Sequence, residues 1–293
     1  MKYLILLLPF LVAACGQGPS ATSDVVVNDG QGVIYGEDTR KDVDSVGDVS
    51  QVAQATAMLV QEYNLAKKDG TWKPRLSTLG RSWPLCEDEK FLDQPLLGFC
   101  SGVLIAPDKV LTAAHCVQKK DSCTDTKFVF AWTLNKALQT FKEEEIFHCK
   151  NIVKQESSLS RGTDYAIVQL DREVPGVKPV QISKRNLEKG EKVLSLSYPL
   201  GLPMKQDAGI VTEYSAEKQT FKAEVDTFAG SSGSPLFDRQ GNLVGILSRG
   251  QEDFLEDDIY RVRTQGGCIR FNRCQSGSCF GGETFFKPST IDL

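Results

Sequence analysis

Two apolar runs and a histidine occupy residues 102–116, which read GVLIAPDKVLTAAHC. Both runs are short, aliphatic and bounded by Gly, Pro or Asp, a pattern that predicts β-strands. Similar runs follow along the chain: KFVFAWTL at 127–134, YAIVQL at 165–170, KVLSLSY at 192–198 and NLVGILS at 242–248. Many short strands without alternating long helices predict an all-β fold. Residues 51–61, QVAQATAMLVQ, predict one short helix with Asp48 or Ser50 as its cap.

Three motifs follow the order His, Asp and Ser. His115 is the residue before last in the stretch above, Asp164 opens the apolar run DYAIVQL, and Ser232 lies inside the turn GSSGSP at 230–235. A serine hydroxyl needs an imidazole to take its proton as it attacks a carbonyl, and a carboxylate must fix that imidazole's tautomer. A glycine-rich turn lets backbone N–H groups approach the developing oxyanion, so we expect those of Gly230 and Ser232 to form the oxyanion hole.

The motifs TAAHC, DYAIVQL and GSSGSP, in this order, resemble those of the trypsin/chymotrypsin-like serine peptidases. The GxSGSP form is most similar to the bacterial branch that includes the glutamyl endopeptidases. The resemblance implies a double antiparallel β-barrel with the active site in the cleft between the barrels. It implies a first barrel at about 33–175, with His115 and Asp164, and a second at about 176–293, with Ser232.

The same resemblance implies an activity. It is that of a serine endopeptidase, which hydrolyses peptide bonds of protein or peptide substrates through an acyl-enzyme and needs no cofactor. It further implies a disulfide between Cys100 and Cys116, on either side of the strand that precedes the histidine. Ser231 stands where digestive zymogens have the Asp that pairs with a newly cut N terminus, so activation through that pair is excluded.

Substrate preference depends on weaker signals. Asp226 lies six residues before Ser232, where trypsin-like enzymes place the acid that binds Lys or Arg. This position favours Lys or Arg at P1. Arg249 in the cleft-lining segment argues against a pocket for such basic side chains. The alternative is that Asp226 and Thr227 hydrogen-bond locally and shape the turn. Leu247 replaces the pocket histidine of glutamyl endopeptidases, which argues against a Glu preference. The candidate substrate-binding residues are Asp226, Thr227, Ser248 and Gly250.

The N terminus predicts export. An apolar run follows Met1-Lys2; it is too short to span a bilayer but suits a signal peptide at 1–14. Its end, VAAC at 12–15, resembles a lipobox and predicts a lipidated Cys15, while an ordinary secretory signal is the alternative. Residues 15–32 predict a flexible tether or pro-segment, and 33–293 the peptidase domain. We expect a monomeric envelope lipoprotein, at the outer membrane or periplasmic face, which cleavage near Val33 would release.

The remaining cysteines and the net charge indicate disulfides and argue against metal and nucleic-acid binding. Nine cysteines leave eight if one carries lipid, and an even number in an exported chain predicts disulfides. We prefer Cys123 with Cys149, which flank a predicted strand; the pairing of Cys86, Cys268, Cys274 and Cys279 stays open. Without a CxxC pair and with only two histidines, no metal site is expected, and His148 is assigned a structural role. The net charge of −4 argues against nucleic-acid binding.

Three other functions stay open from the sequence alone. The chain could be a catalytically inactive protease fold that binds other proteins as a lipoprotein. It could be an esterase that uses the same triad, although α/β-hydrolases order theirs as Ser, acid and His. A structural lipoprotein that tethers an envelope layer is permitted by the polar composition, but no motif favours it.

Overall fold

The computed structural model describes residues 33–43, 50–118, 122–158, 160–274 and 281–292. Its strands are β1 Ile34–Tyr35, β2 Lys41–Asp42, β3 Thr56–Gln61, β4 Leu65–Lys68, β5 Thr71–Pro74, β6 Ser77–Thr78, β7 Pro95–Leu96, β8 Cys100–Ala106, β9 Lys109–Thr112, β10 Thr126–Phe130, β11 Phe141–Lys142, β12 Phe147–Ser158, β13 Thr163–Leu170, β14 Lys192–Ser197, β15 Lys205–Glu213, β16 Thr220–Glu224, β17 Pro235–Phe237, β18 Leu243–Arg249, β19 Arg273–Cys274 and β20 Glu283–Phe286. Its α-helices are α1 Ser50–Gln54, α2 Leu79–Ser82, α3 Ser122–Asp125 and α4 Glu256–Gln265. Short 3-10 helices lie at Glu62–Asn64, Ala114–Cys116, Leu134–Lys136, Glu143–Glu145, Pro199–Gly201 and Pro288–Thr290.

Six antiparallel strands close the first barrel, in the order β10, β12, β13, β9, β8 and β3. Its interior is filled by aliphatic and aromatic side chains such as Leu104, Leu111, Phe128 and Val168, all without exposed surface. Burying one such side chain stabilises the fold by about 1.5–3 kcal/mol. The apolar runs of the sequence therefore become barrel strands because closure buries them.

The second barrel consists of β14, β17, β18, β20, β16 and β15, and the pairing of β14 with β15 closes it. Its core contains Phe221, Leu236, Leu247 and Phe285. Tyr165 of the first barrel stacks on Phe286 of the second, with ring centroids 4.6 Å apart. The predicted all-β double barrel is confirmed.

A third apolar cluster lies beside the second barrel and was not predicted. It joins Ile34, Phe228 and Phe271 with apolar residues from 79–96 and 254–269. The disulfide Cys86–Cys268 connects these last two segments across 182 residues of sequence. A pairing of β1 with β19 and of β2 with β15 attaches residues 33–43 to the same side.

The structure corrects three predictions. The first barrel does not begin at 33, because 33–43 pairs with strands of the second half of the chain. The helix predicted at 51–61 ends at Gln54, and Thr56–Gln61 forms β3, since pairing with β8 and β10 buries its apolar run. Ser50 begins α1, and Asp48 lies outside the described residues. The strand predicted at 127–134 ends at Phe130, before Ala131 with its positive φ of 49°.

The predictions for the N terminus concern residues outside the described ranges. These are the signal peptide at 1–14, the lipidated Cys15 and the tether at 15–32. The longest described helix, α4, has ten residues, and no helix in the described ranges has both the length and the apolarity of a membrane span.

Candidate active site

His115 and Asp164 are joined by two hydrogen bonds in the first barrel. His115 lies in the 3-10 helix that follows β9, and Asp164 is the second residue of β13. Asp164 Oδ2 lies 2.5 Å from His115 Nδ1, and Oδ1 accepts the backbone N–H of His115 at 3.0 Å. A carboxylate only accepts, so Nδ1 carries the proton and Nε2 is left with its lone pair. The His–Asp pair that the motifs predicted is therefore present.

The turn that carries Ser232 is fixed against the segment that carries His115. The carbonyl oxygen of Ser232 accepts the N–H of Ser101 at 2.8 Å and lies 3.8 Å from Sγ of Cys116, the residue after His115. Gly233 has a φ of +78°, and a Cβ there would meet Ser101 O and Ala113 N, the latter at 2.8 Å. Only glycine allows this approach, so the sequence SGS brings Ser232 beside the histidine segment.

Gly230 sits in the same turn with a φ of +88°. The carbonyl before it, of Ala229, accepts the N–H of Leu200 at 2.5 Å. A trans peptide points its C=O and N–H in opposite directions, so the Gly230 N–H points away from Leu200. The Gly230 carbonyl accepts the Ser101 hydroxyl at 2.9 Å, which fixes the next peptide. The turn is thus held in one orientation from both sides.

Asp253 supports this turn and was not predicted. The backbone N–H of Ala229 donates to both of its carboxylate oxygens at 3.1 Å. The hydroxyl of Ser231 accepts the N–H of Phe228 at 3.2 Å, so the residue that replaces the zymogen Asp also braces the turn. No local motif marks Asp253, because it follows Ser232 by 21 residues in a segment of irregular structure.

Asp226 binds the N-terminal segment with both oxygens. Its Oδ1 accepts the N–H of Tyr35 at 2.8 Å and its Oδ2 that of Thr39 at 3.0 Å. Asp207 accepts the N–H of Asp226 at 2.7 Å and the Thr39 hydroxyl. Burial, and then the neighbouring Asp207, raise the pKa of Asp226 to about 7. Asp226 was predicted to be either a free acid in a Lys/Arg pocket or a residue that hydrogen-bonds locally. Neither fits, because both of its oxygens accept N–H groups from residues far away in the sequence.

Arg40 is a second unpredicted residue of this region. Its side chain is 1% exposed and forms a bidentate pair with Asp38, at 2.9 and 2.6 Å. Its guanidinium carbon lies 4.2 Å from the ring centroid of Phe228 and 5.1 Å from that of Phe271. These stacked contacts hold residues 33–43 against the segment between Asp226 and the nucleophile turn.

Glu283 is fully buried at the start of β20. Its Oε1 accepts the hydroxyl of Tyr35 at 3.1 Å, and its Oε2 has no hydrogen-bond partner in the described part of the chain. Burial is the main cause that raises its pKa well above the usual value, and the charges of Asp253 and Asp226 add to it. No motif marks Glu283, which is a lone acid at the start of a short apolar run.

The other predicted substrate-binding residues lie along β18 and beside Asp226. Ser248 is buried and donates its hydroxyl to the carbonyl of Thr284 at 3.1 Å, while Gly250 follows the end of β18 and is half-buried. Arg249 is exposed, so it does not fill a pocket. Thr227 is fully buried, and its hydroxyl has no partner among the described residues.

Both disulfides that the sequence analysis expected are found in the structure. Cys100–Cys116 and Cys123–Cys149 are both present. Cys86 pairs with Cys268, and Cys274 is also disulfide-bonded. Sγ of Cys100, Sγ of Cys116 and a ring nitrogen of His115 lie within 4.8 Å of one another. Because those two sulfurs are bonded together, they offer no thiolate to a metal. His148 lies beside Cys149 and the Trp72 ring.

Comparisons with known proteins agree with this architecture. The family model of the trypsin-like peptidase domain matches residues 100–246. A Glu endopeptidase solved in complex with MPD is 17% identical with a TM-score of 0.51, covering 88% of this chain and 94% of its own. The secreted serine protease VesC from Vibrio cholerae is 16% identical with a TM-score of 0.52, covering 86% of this chain and 46% of its own, so this chain spans under half of VesC. At these identities the likeness concerns the fold. The comparison with curated proteins gives no match.

Proposed function

This chain belongs to the trypsin-like peptidase family, and on that premise we propose that it is a serine endopeptidase. Ser232 is the nucleophile, His115 the general base and acid, and Asp164 the carboxylate that orients the imidazole. The observation that carries the proposal is the doubly hydrogen-bonded pair of His115 and Asp164 beside the turn of Ser232.

The reaction runs in two halves. Ser232 Oγ attacks the carbonyl carbon of the scissile bond as its proton passes to His115 Nε2, and Asp164 stabilises the resulting imidazolium. His115 then gives this proton to the leaving amine, and the C–N bond breaks to leave an acyl-enzyme. A water gives a proton to the same nitrogen as it attacks the ester, and the C–O bond to Ser232 then breaks as that proton passes to Oγ, which releases the acid and regenerates the serine hydroxyl.

The oxyanion of each tetrahedral intermediate is bound by the N–H groups of Gly230 and Ser232. These donors are prepared before the substrate arrives, because Leu200, Ser101 and Asp253 fix the peptides on either side. Preorganised donors need no reorientation as charge develops, which is the main source of their catalytic effect. The main chain of Ser248 and Gly250 binds the substrate as an added strand.

The protein acts outside the cytoplasm and is anchored through Cys15. Three disulfides in the described ranges support an oxidising compartment. The apolar run at 3–14 and the cysteine that follows support export and lipidation. Mass spectrometry of the membrane fraction tests the anchor: an unmodified chain that still contains residues 1–14 contradicts it.

A fluorophosphonate probe tests the chemistry directly, since it reacts only with an activated serine. We expect the wild type to be labelled and Ser232→Ala to give no label. Ser234→Ala is the matched control: it removes a second buried hydroxyl of the same turn, one without a hydrogen-bond partner in the described chain, and should still be labelled.

Two outcomes contradict the proposal. Absence of label in wild-type protein with intact disulfides favours a binding role for the fold. Labelling of Ser232→Ala at the wild-type rate places the nucleophile elsewhere. Protein that reacts with the probe is then incubated with a peptide library, and the products are identified by mass spectrometry. This separates a peptidase from an esterase, because only a peptidase cleaves the amide bonds of unmodified peptides.

A further inference from the structure

A cavity lies at the end of the first barrel that is remote from the candidate active site. Asp164 is the second residue of β13 and Leu170 the last, about 20 Å of extended strand apart. Val174, in the cavity wall, follows Leu170, and Phe147, in the same wall, begins β12 beside the end of β13. The cavity is therefore separate from the cleft in which the proposed catalytic residues lie.

The floor of this cavity is apolar. Its buried side chains, none more than 6% exposed, are those of Val129, Trp132, Phe141, Phe147 and Val174. The volume of the cavity is about 380 Å³, which lies in the lower part of the range for ligand sites. This space holds one or two large apolar side chains of a ligand.

The walls of the cavity are fixed by contacts of their own. The guanidinium carbon of Arg172 lies 4.2 Å from the ring centroid of Phe147. The same guanidinium donates to the carbonyl oxygens of Glu144 at 3.1 Å and Ile146 at 2.8 Å. The ring of Phe130 meets that of Phe147 edge-on, with centroids 5.5 Å apart. The cavity is thus formed before a ligand arrives, which lowers the entropic cost of binding.

Trp132 has a donor that the described part of the chain leaves without an acceptor. Its backbone N–H donates to the hydroxyl of Tyr198 at 3.2 Å, and its carbonyl accepts the N–H of Met204 at 2.9 Å. Its indole Nε1 is buried and has no hydrogen-bond partner among the described residues, whereas that of Trp72 donates to Glu143 at 2.9 Å. A buried indole N–H is usually paired, and a ligand that supplies an acceptor removes the cost of leaving it unpaired.

The mouth of the cavity is polar and carries more negative than positive charge. Its exposed lining residues include Lys136, Gln139, Glu144 and Glu145. Two carboxylates against one ammonium favour a positive charge on the part of a ligand that stays outside the cavity. Leu138, which precedes Gln139, is 81% exposed and adds apolar surface beside the mouth.

We propose that this cavity binds an extended peptide segment of a partner protein, with one or two large apolar side chains next to a Lys or Arg. A peptide brings carbonyl acceptors beside its apolar side chains, and the Trp132 indole needs one. A hydrocarbon chain brings no acceptor into the cavity, and the carboxylate of a fatty acid would be repelled by Glu144 and Glu145. The inference does not rest on the proposed peptidase function, because binding is measured without turnover.

The test uses the whole chain with Ser232→Ala, so that bound peptides are not cleaved, and follows the indole N–H signals of its three tryptophans by NMR. The probe is the pentapeptide Gly-Lys-Leu-Phe-Gly, blocked at both ends. We expect it to shift the signal of Trp132 and to leave those of Trp72 and Trp83 in place. The same peptide with Ser for Leu and Phe should give no shift, and Glu for Lys should weaken binding by about two- to fivefold.

Two variants, each in the Ser232→Ala chain, test the cavity by calorimetry. Trp132→Phe keeps the apolar ring and removes the N–H, so it should weaken binding of the probe by about 3- to 10-fold. Trp83→Phe is the matched control, because Trp83 packs on Phe254 outside the cavity, and it should bind as before. Val177→Trp enlarges a half-buried side chain of the cavity wall and should abolish binding. Wild-type affinity in both Trp132→Phe and Val177→Trp overturns the inference.

Three further results contradict the inference. The first is an unmoved Trp132 signal with the probe at up to about 1 mM. The second is a shift of that signal by sodium dodecanoate but not by the probe, which makes the cavity a site for fatty acids. The third is a probe that slows fluorophosphonate labelling of the wild type and leaves the Trp132 signal in place, since it then binds in the catalytic cleft. A wild type that is never labelled contradicts the proposed peptidase function, whereas the shift of Trp132 is read independently of labelling.

Discussion

Replacing Gly230 by Ala tests whether the nucleophile turn supplies the oxyanion hole. Two consequences can be separated in the structure. The first is conformational, because a φ of +88° is unfavourable for an L-residue by about 1–2 kcal/mol. The second is steric, because a Cβ at this position would lie 2.7 Å from the carbonyl oxygen of Tyr198 and 3.2 Å from the N–H nitrogen of Leu200.

The added Cβ would collide with backbone atoms, which cannot move aside as a flexible side chain can. The turn that contains residue 230 therefore has to shift. A shift of a few tenths of an ångström is enough to misalign the Gly230 N–H with a developing oxyanion. Loss of one such donor costs roughly 100- to 1,000-fold in kcat. We expect Gly230→Ala to lose activity by about this factor, with its melting temperature lowered by several degrees.

Gly190→Ala is the matched control. Gly190 has nearly the same φ, +85°, but a Cβ there meets no heavy atom within 4 Å. It lies in the turn before β14, so its substitution carries the conformational cost without the steric one. We expect a melting temperature lowered by about 2–4 °C per kcal/mol of destabilisation, with kcat unchanged.

The assay compares kcat for a fluorogenic peptide in the two variants, with active sites counted by fluorophosphonate labelling. If Gly230→Ala keeps kcat within about threefold of Gly190→Ala at equal folded fraction, the Gly230 N–H does not bind the oxyanion. The turn would then serve only to place Ser232, and the donor would have to be sought elsewhere.

Three further predictions concern the triad, the buried acids and the disulfides. Asp164→Asn should lower kcat by about 10,000-fold without unfolding the chain, because an amide that donates to Nδ1 of His115 favours the wrong tautomer; a loss below about tenfold contradicts the role. Since the pKa of Asp226 is raised from its usual value near 4 to about 7, the stability given by its protonated form is lost as the pH rises from about 4 through about 7. The melting temperature should therefore fall over this range and level off above it, and Asp226→Asn should flatten the slope; a flat wild-type profile contradicts it. Cys86→Ser with Cys268→Ser should lower the free energy of unfolding by about 2–5 kcal/mol in urea titrations, and an unchanged midpoint would show that the third apolar cluster holds without its crosslink.

The triad and the barrels were predictable because their signals are local. His115, Asp164 and Ser232 each lie in a motif of five to seven residues whose composition follows from its task. The strands were predictable for the same reason, since each apolar run is bounded by turn residues. The run at 56–60 was misassigned as helix because its periodicity is weak and its neighbours in space, β8 and β10, decide its conformation.

Residues that act through distant partners gave no local signal. Asp226 binds Tyr35 and Thr39, which precede it by 191 and 187 residues. Its position relative to Ser232 is that of a specificity acid, but position alone does not say what occupies its oxygens. Asp253 lies in a segment of irregular structure and Glu283 at the first residue of a strand, two places where a lone acid is usually solvated. Only the fold shows that both are buried.

The segment at 33–43 is bound by buried groups from the second half of the chain. Its backbone satisfies Asp226, its Tyr35 hydroxyl satisfies one oxygen of Glu283, and its Arg40 stacks on Phe228. Asp226 therefore holds the N-terminal segment in place through the N–H groups of Tyr35 and Thr39, and the Tyr35 hydroxyl of this segment occupies one oxygen of Glu283.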